Sequence, residues 1–459
     1  MVAYLVEQLN KNPSGITIES NGEKVSKEQF IRDIEKACGF WKKYFKSRGH
    51  HIGLIAENSY LWLVQCMGII ASGNILIAYN YTQPVEDLQY LIALSDTELL
   101  VCDTGLTDEY RSFRVPVLEL QKGMSEIPEP ILENPEDETV VILFSSGTGG
   151  RSKPVPLTKR NFLAYGRQCL GEPGGETTLM PLPLYHIGGL YCYYDLIKGN
   201  NLIISSAKYW IRDISRGNVT RLFVVPGMLN QFFQKMASGA LEKDQISGLG
   251  NVVSLGAALT AVQEEKLLQM GIRLEVFYGL TETTGLLSGA GGEFRKGSSG
   301  KIMPYVEVKI DNGEILARGI NVMKEYYNLA SETEKVLRDS WLYTGDLGRI
   351  DEDGYLYITG RKKNIILLGN GENVSPEELE DKLYQCLLVG ECRVYERDGK
   401  LNADICMNRD GRDLEEEQQE IGDFIKELNK NLPLTHRIAA FRASWEALEK
   451  TSTGKLKRA

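Results

Sequence analysis

Along residues 27–45 the apolar side chains Phe30, Ile31, Ile34, Ala37, Cys38 and Trp41 recur every three or four positions, which places them on one face of a helix. Short apolar runs at 51–56, 74–79 and 98–102 alternate with further helical patterns at 60–71 and 85–94. Parallel strands need a crossover of a dozen or more residues, so strands alternating with helices predict a parallel sheet. The same rhythm returns with strand-like runs at 201–205, 221–225, 251–255 and 273–277. Two such stretches predict two sheets, or two lobes of one large domain.

After about Gly289 the texture changes. Residues 300–357 hold short strand patterns punctuated by Asp311, Asn312 and Gly313 and by Asp353 and Gly354, turn formers that predict a small β-subdomain. A polar break at 360–364 follows. Beyond it, Ser375, Pro376 and Glu378 predict a helix start, with Ser375 as N-cap, Pro in the first turn and Glu three residues after the cap. The apolar face of that helix is Leu379, Leu383 and Leu387. The fold class expected is α/β: a large N-terminal domain over 1–360, with two α/β sheet lobes and the small β-subdomain, then a small α+β domain over 361–459.

Composition narrows the picture. A chain of 459 residues, 42% hydrophobic and 25% charged, is long enough for more than one domain of about 150 residues. Its net charge of −10 disfavours nucleic acid, whose binding relies on Lys and Arg neutralising phosphates. The eight cysteines form no CxxC pair and histidine is scarce at four, so zinc spacing is absent and reduced buried thiols in a cytoplasmic protein are expected. No run approaches the about 20 apolar residues that span a bilayer, and the N-terminus does not read as a signal peptide.

The candidate chemistry starts at 139–144, a buried-strand pattern (TVVILF) that runs into Ser145, Ser146, Gly147, Thr148, Gly149, Gly150, Arg151, Ser152 and Lys153. Three glycines let the backbone turn its N–H groups into one concavity, and four hydroxyls and a lysine add donors and charge, which suits a polyphosphate. A Walker loop needs GxxxxGK and then Ser or Thr, but Ser152 stands where Gly is required and Pro154 where the hydroxyl is required. Pro154 and Pro156 also favour extended backbone over helix, so the loop is expected between two strands. The dinucleotide pattern GxGxxG fails at Ser152. A plain surface loop is the alternative.

This loop resembles that of the adenylate-forming superfamily, [ST]SGTTGxPKG, at Ser145, Ser146, Gly147, Thr148, Gly150 and Lys153, and departs from it at Gly149, Ser152 and Pro154. Five further segments resemble that family in order. They are Gly256, Ala257 and Ala258 of an adenine-pocket segment; Tyr278, Gly279, Thr281 and Glu282 of YGxTE; Thr344, Gly345 and Asp346 of TGD; Gly360 to Lys363 of the hinge; and Thr453, Gly454 and Lys455 of the C-terminal lysine motif. Short motifs recur by chance, and five in sequence are specific.

The resemblance implies ATP-dependent activation of a carboxylic acid. The carboxylate attacks the α-phosphorus of ATP, giving an acyl-adenylate and pyrophosphate, and a thiol then takes the acyl group. Two anions must meet, so cations and N–H donors have to stabilise the transition state. The resemblance makes Thr148 and Glu282 the Mg2+ residues, with Thr281 nearby, Asp346 and Arg361 the ribose contacts, and Tyr278 the adenine face. It makes Lys455 the bridge between the attacking carboxylate and the α-phosphate. It also implies a mobile C-terminal domain, turning at Lys363 and bringing the 368–373 loop to the site. The segment 181–190 resembles PLxHxxGL, with Pro183, Leu184, His186, Gly189 and Leu190 on the motif, which places His186 at the acid pocket and favours a simple acyl or aryl acid; amino-acid-activating members carry an Asp near here for the ammonium group, and Asp195 lies nine residues on. The expected acceptor is coenzyme A. Loading of a carrier-protein phosphopantetheine is the alternative, with an acyl carrier protein as partner. A non-catalytic nucleotide sensor would lack Glu282 or Lys455, and both are present.

Overall fold

The computed structural model describes residues 1–12, 15–110, 112–122, 127–145, 151–169, 174–289, 293–368, 372–386, 388–408, 413–449, 456 and 457. Two sheets organise the first 289 residues. One runs Val117–Glu119, Leu99–Cys102, His51–Ile55, Ile75–Ala78, Thr139–Ser145, Lys153–Thr158, parallel except for its last pair. The other runs Arg273–Phe277, Asn251–Leu255, Arg221–Val224, Thr177–Met180, Asn201–Ile204, Thr17–Ser20, Glu23–Ser26, parallel except for the final hairpin.

The two lobes share one core. Helix Tyr60–Ala71 touches strands of both sheets and is buried along nearly its whole length. That matches its sequence, which is apolar all round rather than on one stripe. Its one buried amide, Gln65, accepts a 2.9 Å hydrogen bond from the Trp41 indole of helix Lys27–Phe45. Helix Val2–Lys11 and strand Thr17–Ser20, which no pattern above singled out, complete the second lobe.

The β-subdomain is a five-stranded antiparallel sheet built from Val306–Asp311, Glu314–Gly319, Trp341–Ile350, Leu337–Arg338 and Leu356–Arg361. Asn312 (φ 49°) and Gly313 (φ 79°) turn its first hairpin, as an Asn-Gly pair should. Past Arg361, a separate apolar core gathers around Leu379, Leu383, Val394, Ile405 and Ile421, under the sheet Val389–Arg397, Lys400–Met407, Ile438–Ser444. This unit leans on helix Pro226–Ala237: Asn230 Nδ2 donates to the Gly390 carbonyl (3.2 Å) and Gln234 Nε2 to Asn408 Oδ1 (2.9 Å).

One local expectation is corrected. Ser375 precedes helix Pro376–Leu383, but its side chain does not cap it. Its hydroxyl donates instead to the Thr359 carbonyl at 2.9 Å, tying the helix start to the last strand of the β-subdomain. Leu387 lies outside the described residues. All eight cysteines are free thiols. Among the described residues no helix is long and apolar enough to cross a membrane.

Candidate active site

The glycine-rich loop leaves strand Thr139–Ser145 and returns as strand Lys153–Thr158, with Ser145 paired to Lys153 and Phe144 to Pro154. The two prolines therefore sit in extended backbone, as expected, and no helix follows directly. Ser146, Gly147, Thr148, Gly149 and Gly150 lie outside the described residues, as do Lys455 and the 369–371 part of the loop after the hinge.

Three expected nucleotide residues come together. Asp346, only 3% exposed, accepts a 2.8 Å hydrogen bond from the Tyr278 hydroxyl on Oδ2 and pairs with Arg361 Nε on Oδ1 at 2.7 Å. Register explains this: Asp346 and Arg361 are directly paired across adjacent antiparallel strands, where opposite charges support each other. Gly345, at φ 72°, lets the chain turn just before Asp346. A carboxylate has about four lone-pair directions, so it can accept from several donors at once. Burial, reinforced by the Asp346 carboxylate, pushes the Tyr278 phenol well above its ordinary value and keeps it a donor. The contact the structure gives Tyr278 is thus made by its hydroxyl.

The loop from Tyr278 to Ser288 carries the second group. Thr281 and Glu282 sit in a single tight turn, Thr281–Thr283. Glu282 is half-buried; its Oε1 accepts from the Tyr326 hydroxyl at 2.8 Å, and its backbone carbonyl accepts from Met323 N–H at 2.8 Å. Lys153 lies over the Tyr326 ring, 4.9 Å from its centroid, and pairs with Glu332 at 2.6 Å. Tyr326 and Glu332 were not among the candidate residues. Nothing in their local sequence marks them, because their roles come from contacts far along the chain.

The remaining candidates fall around these two clusters. Gly256, Ala257 and Ala258 form the exposed end of strand Asn251–Leu255, and Gly256 needs its positive φ of 86°. His186 is half-buried, with its ring 4.6 Å from that of Tyr185. The segment that carries it meets the Tyr278–Ser288 loop at Gly285, where a Cβ would lie 2.9 Å from Ile187 and 2.8 Å from the Tyr191 hydroxyl. Asp195 does not serve as an ammonium holder. It is buried beneath the sheet, 3.6 Å from Arg221 Nε, and accepts from Asn200 at 3.0 Å.

Among the described residues no group of three or more His, Cys, Asp or Glu is arranged to hold a metal. Mg2+ generally keeps waters and takes one or two carboxylates together with substrate phosphates. Glu282 is suited to such a part: one oxygen is fixed by Tyr326, and Oε2 has no protein partner among the described residues.

The two-lobed α/β body thus brings a buried carboxylate with an arginine and a tyrosine near a second, half-buried carboxylate and the strand that leads into the glycine-rich loop. Residues 12–327 match the family described as AMP-binding enzyme, and the chain belongs to that family. It is 26% identical over 417 residues to a 2-succinylbenzoate–CoA ligase of Bacillus cereus (strain Q1), covering 86% of this chain and 85% of the relative. Among solved structures, it superposes on the o-succinylbenzoate coenzyme A synthetase of Bacillus subtilis in complex with ATP and magnesium ion, with a TM-score of 0.84, 24% identity, and 99% and 98% of the two chains covered. It superposes also on an anthranilate CoA ligase in complex with anthranoyl-AMP, with a TM-score of 0.87, 22% identity, and 99% and 95% covered.

Proposed function

We propose that this protein activates an aromatic carboxylic acid with ATP and transfers the acyl group to coenzyme A. It is an AMP-forming acid–thiol ligase. The observation that carries the reading is the Tyr278–Asp346–Arg361 cluster: Tyr278 opens the loop that bears Glu282, and the Glu282 turn packs against strand Thr139–Ser145, which leads into the glycine-rich loop.

Asp346 and Arg361 hold the ribose, and Tyr278 lies along the adenine next to Gly256, Ala257 and Ala258. Ser145, the loop through Gly150, and Lys153 surround the phosphates with N–H groups, hydroxyls and one ammonium. Thr148 and Glu282 hold Mg2+, which when bound supplies positive charge to the phosphate oxygens. The acid enters beside His186 and Ile187, and its carboxylate oxygen forms a bond to the α-phosphorus as the bond to pyrophosphate breaks. Lys455 meets both anions and neutralises the charge that builds between them. The thiol of coenzyme A then attacks the acyl carbon and AMP leaves. The C-terminal unit turns about Lys363 between the two steps.

An aromatic acid is favoured by the relatives named for succinylbenzoate and anthranilate, and by the apolar and aromatic neighbours of His186. A free amino acid is disfavoured because Asp195 is engaged with Arg221. A cytoplasmic setting keeps the eight thiols reduced.

The test is acid-dependent ATP–pyrophosphate exchange over a panel of benzoic, cinnamic, fatty and amino acids. The best acid is then offered coenzyme A and a phosphopantetheinylated carrier protein. An aromatic acid and coenzyme A are expected to lead. Exchange with no member of the panel would sink the activity, and transfer to the carrier alone would replace the acceptor. Lys455→Ala is expected to reduce exchange by three orders of magnitude or more, while ATP still binds in equilibrium dialysis.

A further inference from the structure

The segment 323–333 is stitched to both sides of the phosphate end of the site. On one side, Met323 N–H donates to the Glu282 carbonyl at 2.8 Å. On the other, Tyr327 N–H donates to the carbonyl of Pro154, in the strand that follows the glycine-rich loop, at 2.9 Å. Between these two stitches stands Tyr326, 5% exposed. Its own backbone N–H donates to Thr333 Oγ1 at 2.9 Å, and that hydroxyl donates to the Leu329 carbonyl at 3.0 Å. The backbone at Tyr326 is therefore fixed from three directions before its side chain touches anything.

The side chain then meets two charged groups of opposite sign. Its hydroxyl donates to Glu282 Oε1 at 2.8 Å, and its ring face receives the Lys153 ammonium at 4.9 Å from the centroid. A phenol is well suited to both contacts. The hydroxyl donates to one carboxylate oxygen and leaves the other available, and the ring face attracts a cation without competing for its hydrogen-bond donors.

We infer that Tyr326 is a positioning residue for the activation step: its hydroxyl aims the Glu282 carboxylate at the metal and its ring seats Lys153, so that one side chain sets the spacing of anion and cation around the phosphates. The inference rests on the roles of Glu282 and Lys153 given above.

Tyr326→Phe removes the hydroxyl and keeps the ring, whereas Tyr326→Leu removes both. Three measurements are made on the full chain: Mn2+ binding to the enzyme–ATP complex by electron paramagnetic resonance, ATP binding without metal by calorimetry, and the Mg2+ dependence of pyrophosphate exchange. Groups that orient a metal ligand typically change metal affinity by about 10- to 100-fold when removed. Tyr326→Phe is expected to weaken Mn2+ binding about tenfold and to raise the Mg2+ requirement similarly, with the exchange rate recovering at saturating Mg2+ and metal-free ATP binding unchanged. General loss of structure would not recover in that way. Tyr326→Leu is expected in addition to weaken metal-free ATP binding severalfold. Glu282→Gln serves as the reference. If Glu282→Gln loses Mn2+ binding while Tyr326→Phe keeps wild-type binding and Mg2+ dependence, the inference is overturned and the role of Glu282 stands. If Glu282→Gln itself binds Mn2+ normally, the metal role of Glu282 falls, and the inference with it.

Discussion

Two ion pairs at the site have nearly the same length and different settings. Arg361 and Asp346 lie 2.7 Å apart, Lys153 and Glu332 2.6 Å. The Asp346 side chain is 4% exposed and is also held by Tyr278, whereas both partners of the second pair are 27% exposed. A buried carboxylate with fixed donors cannot exchange partners cheaply, because losing a donor is not made good by water. A half-exposed pair can, since water and salt replace most of what it offers. The difference suits the ligands. In the proposed function, neutral sugar hydroxyls meet a preset acceptor, while the polyphosphate takes over a lysine that a carboxylate of the protein holds until then.

This contrast can be broken at its fixed end first. Asp346→Ala leaves the Arg361 guanidinium and the Tyr278 hydroxyl without their shared acceptor. With hydrogen bonds to a charged group worth about 1.5–3 kcal/mol each, the KM for ATP is expected to rise about 100-fold or more. The measurement is pyrophosphate exchange against ATP concentration, and a rise below threefold would remove the fixed half of the contrast. Tyr278→Phe takes one donor and keeps the ring, so a rise of about tenfold is expected, equivalent to about 1.5 kcal/mol, the lower end of that range.

The exchangeable end predicts the opposite sign. Glu332→Gln frees Lys153 from its competitor, and KM for ATP is expected to fall about two- to threefold, within the under 1 kcal/mol typical of such a pair. Hydrogen bonds from Lys153 and then Lys335 hold the Glu332 carboxyl down to about 2. A group lowered on folding contributes fully above its ordinary value, near 4.5, and loses that contribution only as pH falls toward 2. The effect of Glu332→Gln should therefore be flat from pH 6 to 9. An ATP KM that rises in this variant would show Glu332 working with the substrate rather than against it.

The smallest kinetic effect is expected from a buried carboxylate outside both pairs. Glu264 accepts from Gly297 N–H through both oxygens, at 3.2 and 3.1 Å, and burial, with Asp381 nearby, pushes it up to about 7. The folded chain then keeps a proton that the unfolded chain releases near 4.5, so stability falls as pH rises from there through 7. Glu264→Gln should flatten that decline by about 2–3 kcal/mol in denaturant unfolding and leave exchange kinetics within twofold. An unchanged pH profile would contradict the proton held at Glu264.

Much of this site could be read before any coordinates. Helices Lys27–Phe45, Tyr60–Ala71 and Val85–Leu94 have the bounds that their apolar spacing predicts. Tyr278, Glu282, Asp346 and Arg361 announce themselves by order along the chain. Strand Thr17–Ser20 does not, because its Glu19 is buried through a 2.7 Å pair with Arg216, a partner that only tertiary structure supplies. Tyr326 and Glu332 escape for the same reason: their partners lie 44 and 179 residues away, beyond any local pattern. Ser375 shows the reverse error, in which a sound capping signal yields to a nearer carbonyl at Thr359.

The prolines that rule out a Walker loop have one more consequence. Strand Lys153–Thr158 is the outer edge of its sheet, the place where another chain's strand would dock. Pro154 and Pro156 remove two of its six N–H donors, and the Pro154 carbonyl is already taken by Tyr327. The strand is buried from Pro154 to Thr158, so part of this margin is already covered. The same two rings that stiffen the exit of the phosphate loop also deny that margin to strand addition, and so guard against aggregation.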